Sequence, residues 1–370
     1  MASVRCQRSR PDRTTVLFSK LRNSTNFRRG ARNSGVIVSI LFVELWACLR
    51  NLVFALGATL CCLVSPALHA QGAWPSKTIR IVVPFGPGGA SDILARLIAK
   101  DLSEKWKQPV IVENKAGAGG TIGADWVAKS APDGYTMLLA DSSVVMTFPS
   151  LYPNLPYAAK DLLPVANIAT FGLILIAPAN SKFNTLAEFV AADRAAPGKL
   201  NMASPGSGSS NHLTLEKFNA QAGTKLVHIP YKGTGPAIAD LVGGQVDLTL
   251  ASGAASKPLI EGAKVKAIAV TSLKRNALLP QVPTIAESGF PGFESIAGQG
   301  LFVAAGTPRD IVTRINAEVN AFIRTAETQE RWAQMGIDRV DSTPEQFAAW
   351  LARESNQWAL LIRSLGIKPD

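Results

Sequence analysis

Cysteine is confined to the start of the chain: Cys6, Cys48, Cys61 and Cys62 are the only four, and the remaining three hundred residues have none. This excludes a disulfide framework, a thiolate nucleophile and a cysteine-based metal site from the body of the protein. Histidine is as scarce, with His69, His212 and His228 alone among 370 residues. No HxH or HExxH spacing occurs, so neither a metal nor a cofactor is expected. A surplus of one charge is also missing where it would matter. The formal charge of +11 first suggests a nucleic-acid partner, but ten of the 38 Lys and Arg precede residue 71, against two of the 27 acids. Residues 71–370 are left with 28 bases and 25 acids, scattered along the chain. They form no basic, aromatic-interleaved patch, and nucleic acid is not an expected partner.

Long hydrophobic runs are absent as well. The run Leu52–Val64, 13 residues long, is shorter than the ~20 needed to span a bilayer as a helix. It follows Arg50 and precedes Ser65-Pro66 and Ala67-Leu-His-Ala70, the charged, apolar and small-residue order of a secretory signal. Residues 1–70 therefore read as an export leader, with cleavage expected after Ala70 and the periplasm as destination. Within it, residues 1–35 are basic and aperiodic and read as an extension upstream of the true translation start. The cysteines stand in no lipoprotein-like context.

What is present is an α/β rhythm. Hydrophobic residues make up 47%, enough for a sizeable core, and the length suits two domains. Short apolar runs alternate with helical periodicity. Strands are expected at Ile79–Val83, Val110–Val112, Thr136–Ala140, Leu173–Ala177, Leu200–Ala203, Leu226–Ile229, Val246–Leu250, Val265–Thr271 and Leu301–Ala304. Helices are expected at Asp92–Trp106, Thr121–Lys129, His212–Ala222, Pro236–Val242, Lys257–Glu261, Pro308–Thr325 and Pro344–Leu365. Capping boxes open the segments after Thr185 and Thr343.

Two segments share a strand, glycine loop and helix plan: Val83-Pro-Phe-Gly-Pro-Gly-Gly-Ala-Ser-Asp92 and Met202-Ala-Ser-Pro-Gly-Ser-Gly-Ser-Ser-Asn-His212. Free N–H groups at a helix start, reinforced by the helix dipole, suit an anion, and glycine lets it approach the backbone. One such loop in each half could face the other across a cleft. The expected carboxylate donors are the main-chain amides of Gly88–Ser91 and Gly206–Ser209. Asp92 reads as a helix cap or as a contact for a ligand ammonium. Gly117-Ala-Gly-Gly-Thr-Ile-Gly123 lacks the GxGxxG spacing of a dinucleotide site and reads as a further loop that opens a helix.

These stretches, taken in order, resemble the Bug-type solute receptors of tripartite tricarboxylate transporters. The resemblance rests on Ile81-Val-Val-Pro-Phe-Gly-Pro-Gly-Gly-Ala-Ser-Asp92, Val112-Glu-Asn-Lys-Ala-Gly-Ala-Gly-Gly-Thr-Ile-Gly123, Pro132-Asp-Gly-Tyr-Thr136, Ser204-Pro-Gly-Ser-Gly-Ser209, Ile229-Pro-Tyr-Lys-Gly233, Asp240-Leu-Val-Gly-Gly-Gln-Val-Asp247 and Val282-Pro-Thr-Ile-Ala-Glu-Ser-Gly289. It covers about residues 74–370. It implies a type II-like, two-lobed periplasmic-binding-protein fold of the α/β class with two crossovers, lobe 1 being 74–176 plus 300–370 and lobe 2 being 177–299. It further implies that a small carboxylate is held by Phe85, Gly88, Gly89, Ala90 and Ser91 on one side, with Asp92 beside them as a ligand contact. Ser204, Gly206, Ser207, Gly208 and Ser209 would hold it on the other, with Ser142, Tyr231 and Lys232 lining the walls. The implied partners are membrane transporter subunits, and the receptor is expected to be a monomer. The sequence departs from the family at Ala140-Asp141-Ser-Ser-Val-Val-Met146, where an acid replaces a small or hydroxyl residue, and at Ala251-Ser-Gly-Ala-Ala-Ser256, which lacks a polar amide or aspartate.

Two other classes compete. A sensory subunit would use the same fold and is not separable from a transport receptor by sequence. An exported hydrolase needs a nucleophile and a base. Ser207 and His212 are the available pair, but Ser207 lies in Gly-Ser-Gly-Ser and not in a GxSxG elbow. His228 reads as a hydrogen-bonded strand residue. No catalysis is expected.

Overall fold

The computed structural model describes residues 74–369 and, upstream, residue 46. The leader features named above, including the junction at Ala70 and all four cysteines, lie outside the described residues. No helix among the described residues is long and apolar enough to cross a membrane.

The chain builds two sheets. The first starts as a parallel unit: β1 (Ile79–Val83), α1 (Ala90–Trp106) and β2 (Val110–Asn114), followed by α2 (Thr121–Ala128) and β3 (Thr136–Asp141). β1 pairs in parallel with both β2 and β3. Short helices α3 (Ser143–Met146) and α4 (Phe148–Leu151) lead to the long strand β4 (Leu162–Gly172). The second sheet then begins with β5 (Ile174–Pro178) and α5 (Leu186–Ala195), and repeats the parallel plan in β6 (Asn201–Ser204), α6 (Ser210–Ala222) and β7 (Val227–Pro230). It is completed by α7 (Thr234–Val242), β8 (Leu248–Ala251), α8 (Gly253–Glu261) and β9 (Val265–Val270). β10 (Ile296–Ala304) returns to the first sheet, and α9 (Arg309–Arg324), α10 (Ala326–Ala333), β11 (Asp338–Arg339) and α11 (Pro344–Leu365) finish the chain. The strand orders are β11-β4-β10-β3-β1-β2 and β7-β6-β8-β5-β9.

Alternation explains why both sheets read as near-continuous apolar runs. Successive strand residues face opposite sides, and here both sides are covered. Ile79, Ile81 and Val83 enter one core cluster, while Val82 joins Leu138, Phe302 and Phe347 in another. Ile174 and Ile176 likewise enter a third cluster that holds Leu241 and Val246.

The chain passes between the sheets twice, after β4 and before β10, and Thr271 ties the two passages together. Its backbone exchanges bonds with Leu173 and Ser295, and its hydroxyl accepts from Leu173 N–H at 2.8 Å and donates to the Ser295 carbonyl at 2.6 Å.

Several elements escape a reading of periodicity, among them the short helix Ser143–Met146 and the two-residue strand Asp338–Arg339. β4 carries Pro164 and Asn167, which interrupt its apolar pattern; Asn167 is nonetheless buried. The helices Phe148–Leu151 and Ala326–Ala333 are short and polar or Pro-containing. The expected helices also begin earlier than their first apolar residues: at Ala90, Ser210, Thr234 and Gly253. Those extra turns are where the site lies.

Candidate functional site

A cleft of about 480 Å³, counted out to its open mouth, lies where the two glycine-loop units meet. Its wall is built largely from helix starts. Gly89, Ala90, Ser91 and Asp92 come from the first turn of α1 and its cap, Ser209 and Asn211 from the start of α6, Thr234 from α7 and Ser252 from α8. In α1 the first intrahelical bond runs from Ile93 N–H to Gly89 O, so the N–H groups of Ala90, Ser91 and Asp92 have no partner within the helix. Four helix N-termini thus point their partial positive charge toward one space. Among the described residues, no Lys or Arg lines it, and Asp92 and Asp141 are the only ionisable side chains on its wall. Phe85, Phe171 and Leu173 supply apolar surface.

The first glycine loop is held in shape by Asp92. Its carboxylate accepts from Gly88 N–H at 3.1 Å, from Arg96 at 2.9 and 3.1 Å, and from the Asn114 amide at 3.0 Å. Asn114 also donates to the Phe85 carbonyl. Burial raises the Asp92 pKa, but these donors outweigh it and hold the group below the usual carboxylate range. Asp92 therefore faces the cleft with its charge already answered, and Gly88 N–H is already spent on it.

The second glycine loop also turns its amides inward. Gly206 N–H goes to Ser204 Oγ at 3.0 Å, Gly208 N–H to His212 Nδ1 at 3.0 Å, and Ser209 N–H to the Gly206 carbonyl. The donors expected from Gly206, Gly208 and Ser209 are engaged in the loop itself. The open N–H groups lie one turn on, at Ser210 and Asn211, because Ser209 caps α6 through His212 N–H. Gly206 adopts φ +144°, and a Cβ there would meet Gly119 Cα at 2.7 Å. At Gly206 this loop packs against the Gly117–Gly123 segment, and Pro205 and Ser209 are its residues on the cleft wall.

Of the residues expected from sequence, the structure gathers Phe85, Gly89, Ala90, Ser91, Asp92 and Ser209 on the cleft wall. Gly88, Ser142, Ser204, Gly206, Ser207, Gly208, Tyr231 and Lys232 do not line it. Ser142 is fully buried, and its hydroxyl lies beside Gly298, on the opposite strand face from Gln299. The Tyr231 hydroxyl donates to Asp240 at 2.7 Å; burial, with Asp240 close by, pushes its pKa up to about 12. Lys232 closes the mouth through its carbonyl, which accepts from Gly86 N–H at 2.8 Å. Asn211, Thr234, Ser252 and Gln299 were not singled out by sequence. Ser252 is a capping serine, and Gln299 is a polar residue inside an apolar strand; both signals were present.

Neither Ser207 nor His212 lines the cleft. His228 Nε2 lies 2.6 Å from Ser204 Oγ, but Ser204 is fully buried away from the cleft wall. The His212 ring stacks on His228 with centroids 4.0 Å apart.

Two α/β units around an anion-favouring cleft, joined by two passages, define a solute-binding protein. The model of the tripartite tricarboxylate transporter family receptor matches residues 94–367. A protein of Pseudomonas sp. (strain P51), named for the tcbD-tcbE intergenic region, is 43% identical over 292 residues, covering 78% of this chain and 87% of its own length. Among solved structures, the periplasmic binding protein BugD is 36% identical with a TM-score of 0.76, over 80% of this chain and all of BugD. Rpa4515 of R. palustris, solved with adipate, is 34% identical with a TM-score of 0.77, over 80% of this chain and all of its own. MatC from Rhodopseudomonas palustris, with bound malate, is 32% identical with a TM-score of 0.74, over 78% of this chain and all of its own. The chain belongs to the Bug-type receptors of the tripartite tricarboxylate transporter family and has their two-lobed periplasmic-binding-protein fold.

Proposed function

We propose that this protein is a periplasmic receptor that captures a small carboxylate between the units built on its two sheets and delivers it to a tripartite tricarboxylate-type membrane transporter. One observation carries the reading: four helix N-termini converge on a cleft that no Lys or Arg among the described residues lines. Such an arrangement binds a carboxylate through backbone N–H groups and, in part, through water, without a bidentate arginine. The donors are the N–H groups of Ala90, Ser91 and Asp92 at the start of α1 in one sheet's unit, faced by Thr234 at the start of α7 in the other's. Adipate and malate in two relatives support a small carboxylate as ligand. The protein acts as a monomer, reaches the periplasm through its N-terminal signal, and catalyses no reaction.

The test is a thermal-shift and calorimetry panel of mono-, di- and tricarboxylates and amino acids, each with its amide counterpart. At 100 times its dissociation constant a ligand stabilises by ~2.7 kcal/mol. The expected result is binding of at least one acid and sharp weakening when its carboxylate becomes an amide. An amide that binds as well as its acid would sink the reading.

A further inference from the structure

The acid that departs from the family pattern lies in the cleft. Asp141 ends β3, its Cα is paired with Gln299 of β10, and both residues line the cavity. Only 7% of Asp141 is exposed. Its Oδ1 accepts Ser143 N–H at 2.9 Å, and the single Ser210 hydroxyl reaches both carboxylate oxygens, at 2.8 and 2.7 Å. A carboxylate offers about four acceptor positions; the Ser143 N–H, the shared Ser210 O–H and the Ser143 hydroxyl that serve it are all neutral donors. Among the described residues, none supplies a positive charge to it. Asp92 on the same wall has Arg96, and Asp141 has no counterpart. On the wall of the same cavity, Asn211 donates its amide N–H to the Leu250 carbonyl at 2.6 Å, which fixes the amide orientation and leaves Oδ1 as an acceptor. Phe171 and Leu173 give the cavity an apolar lining.

A buried carboxylate without a counter-ion is unfavourable, and a ligand cation relieves it. A second ligand carboxylate at the same place adds repulsion. Building on the carboxylate reading above, we infer that Asp141 and Asn211 select an amino carboxylate, in which a short apolar spacer separates the bound carboxylate from a primary ammonium. The cleft is then dipolar, with helix N-termini for the anionic end of the ligand and acceptors for the cationic end. The dicarboxylates held by relatives fit it poorly.

The test uses calorimetry on the mature protein with three matched pairs: 3-aminopropanoate and succinate, 4-aminobutanoate and glutarate, 5-aminopentanoate and adipate. In each pair a terminal carboxylate is exchanged for an ammonium. The wild type is expected to favour the amino member of its best pair by at least about tenfold. Asp141→Asn, checked for folding by circular dichroism, is expected to lose that preference by weakening the amino acid and improving the diacid. If the wild type binds the diacids as tightly or more tightly, the inference fails while the receptor reading stands; this arm does not depend on the variant. If Asp141→Asn weakens both members of a pair alike, Asp141 only holds the two units together through Ser210, and the inference again fails. If no carboxylate of any class binds, the parent reading fails with it.

Discussion

The backbone N–H of Gly86 donates to the carbonyl of Lys232 at 2.8 Å, joining the loop after the first strand of one sheet to the loop before α7 of the other. A main-chain bond across the mouth leaves no side chain to adjust, so its neighbours must be small. Gly233 and Gly235 sit at that junction; a Cβ on Gly235 would meet the Pro87 carbonyl oxygen at 2.3 Å.

Gly235→Ala therefore separates closing from folding. Gly235 lies in α7, where alanine is the better helix former by roughly 1 kcal/mol. The clash exists only when the two loops meet. Overpacking of this kind costs about 1–3 kcal/mol, or roughly five- to 150-fold in affinity. The expected outcome is weaker binding of the best acid by calorimetry with no fall in the melting temperature of the ligand-free protein. A drop in both would mean the loops are joined before the ligand arrives.

Asp92 makes a second prediction, about pH. Its folded pKa is held below the ordinary aspartate value by Arg96, Gly88 and Asn114 against the upward push of burial. The stability it contributes is complete above the unfolded pKa of ~3.9 and is lost as pH falls through the lowered folded value. Asp92→Asn should cost about 1–2 kcal/mol near neutrality. That is less than for a fully buried pair, because 54% of the Arg96 side chain is exposed. Urea unfolding of both proteins should show a constant gap at neutral and mildly acidic pH that narrows below about pH 4.

How much of this was legible in the sequence depends on what each residue contacts. The glycine loops, the capping residues Thr185 and Thr343, and most strands follow from local chemistry, and the structure keeps them. Their partners do not follow. Whether Gly208 N–H faces a ligand or His212 Nδ1 is decided by how α6 starts, and whether Ser142 faces the cleft is decided by the strand face of Gly298. Periodicity alone places the starts of α6, α7 and α8 two to four residues late, so their first turns read as loops. Asn211, Thr234 and Ser252 entered the site through those turns. Gln299 was hidden for another reason: its strand is glycine-rich on one side and apolar on the other, and only pairing with Asp141 brings it to the cleft.

Asp141 gives the opposite pH signature to Asp92. Burial pushes its pKa above the ordinary range, and the bonds from Ser143 and Ser210 only partly offset this. In the ligand-free protein the folded state then holds this proton to higher pH than the unfolded state does. Its effect is a loss of stability that sets in as pH rises above ~3.9 and is complete above the raised folded value. Asp141→Asn keeps the shape and removes the charge. It should melt higher than the wild type at pH 7, with the difference vanishing as pH approaches 4. Differential scanning calorimetry across that range checks the sign; a variant that melts lower at neutral pH would show a carboxylate already compensated.

Gly89 tests whether the start of α1 is a binding surface or only a turn. It caps α1 and lines the cleft, and a Cβ there would lie 3.3 Å from Thr234 Oγ1 at the start of α7. Its φ of −84° is open to any residue, so substitution brings no backbone strain. Alanine and valine are similarly poor caps, so both variants should lose a comparable amount of stability, a few tenths of a kcal/mol up to ~1. Binding should separate them. Gly89→Ala adds one methyl that Thr234 can accommodate by a small shift. Gly89→Val adds two further carbons, directed into the space a carboxylate needs to reach the N–H groups of Ala90 and Ser91. The expected result is a graded loss in calorimetry: severalfold for alanine and nearly complete for valine, at matched melting temperatures. Equal affinities for the two variants would mean that the ligand is held elsewhere and that the glycine is needed only for the turn.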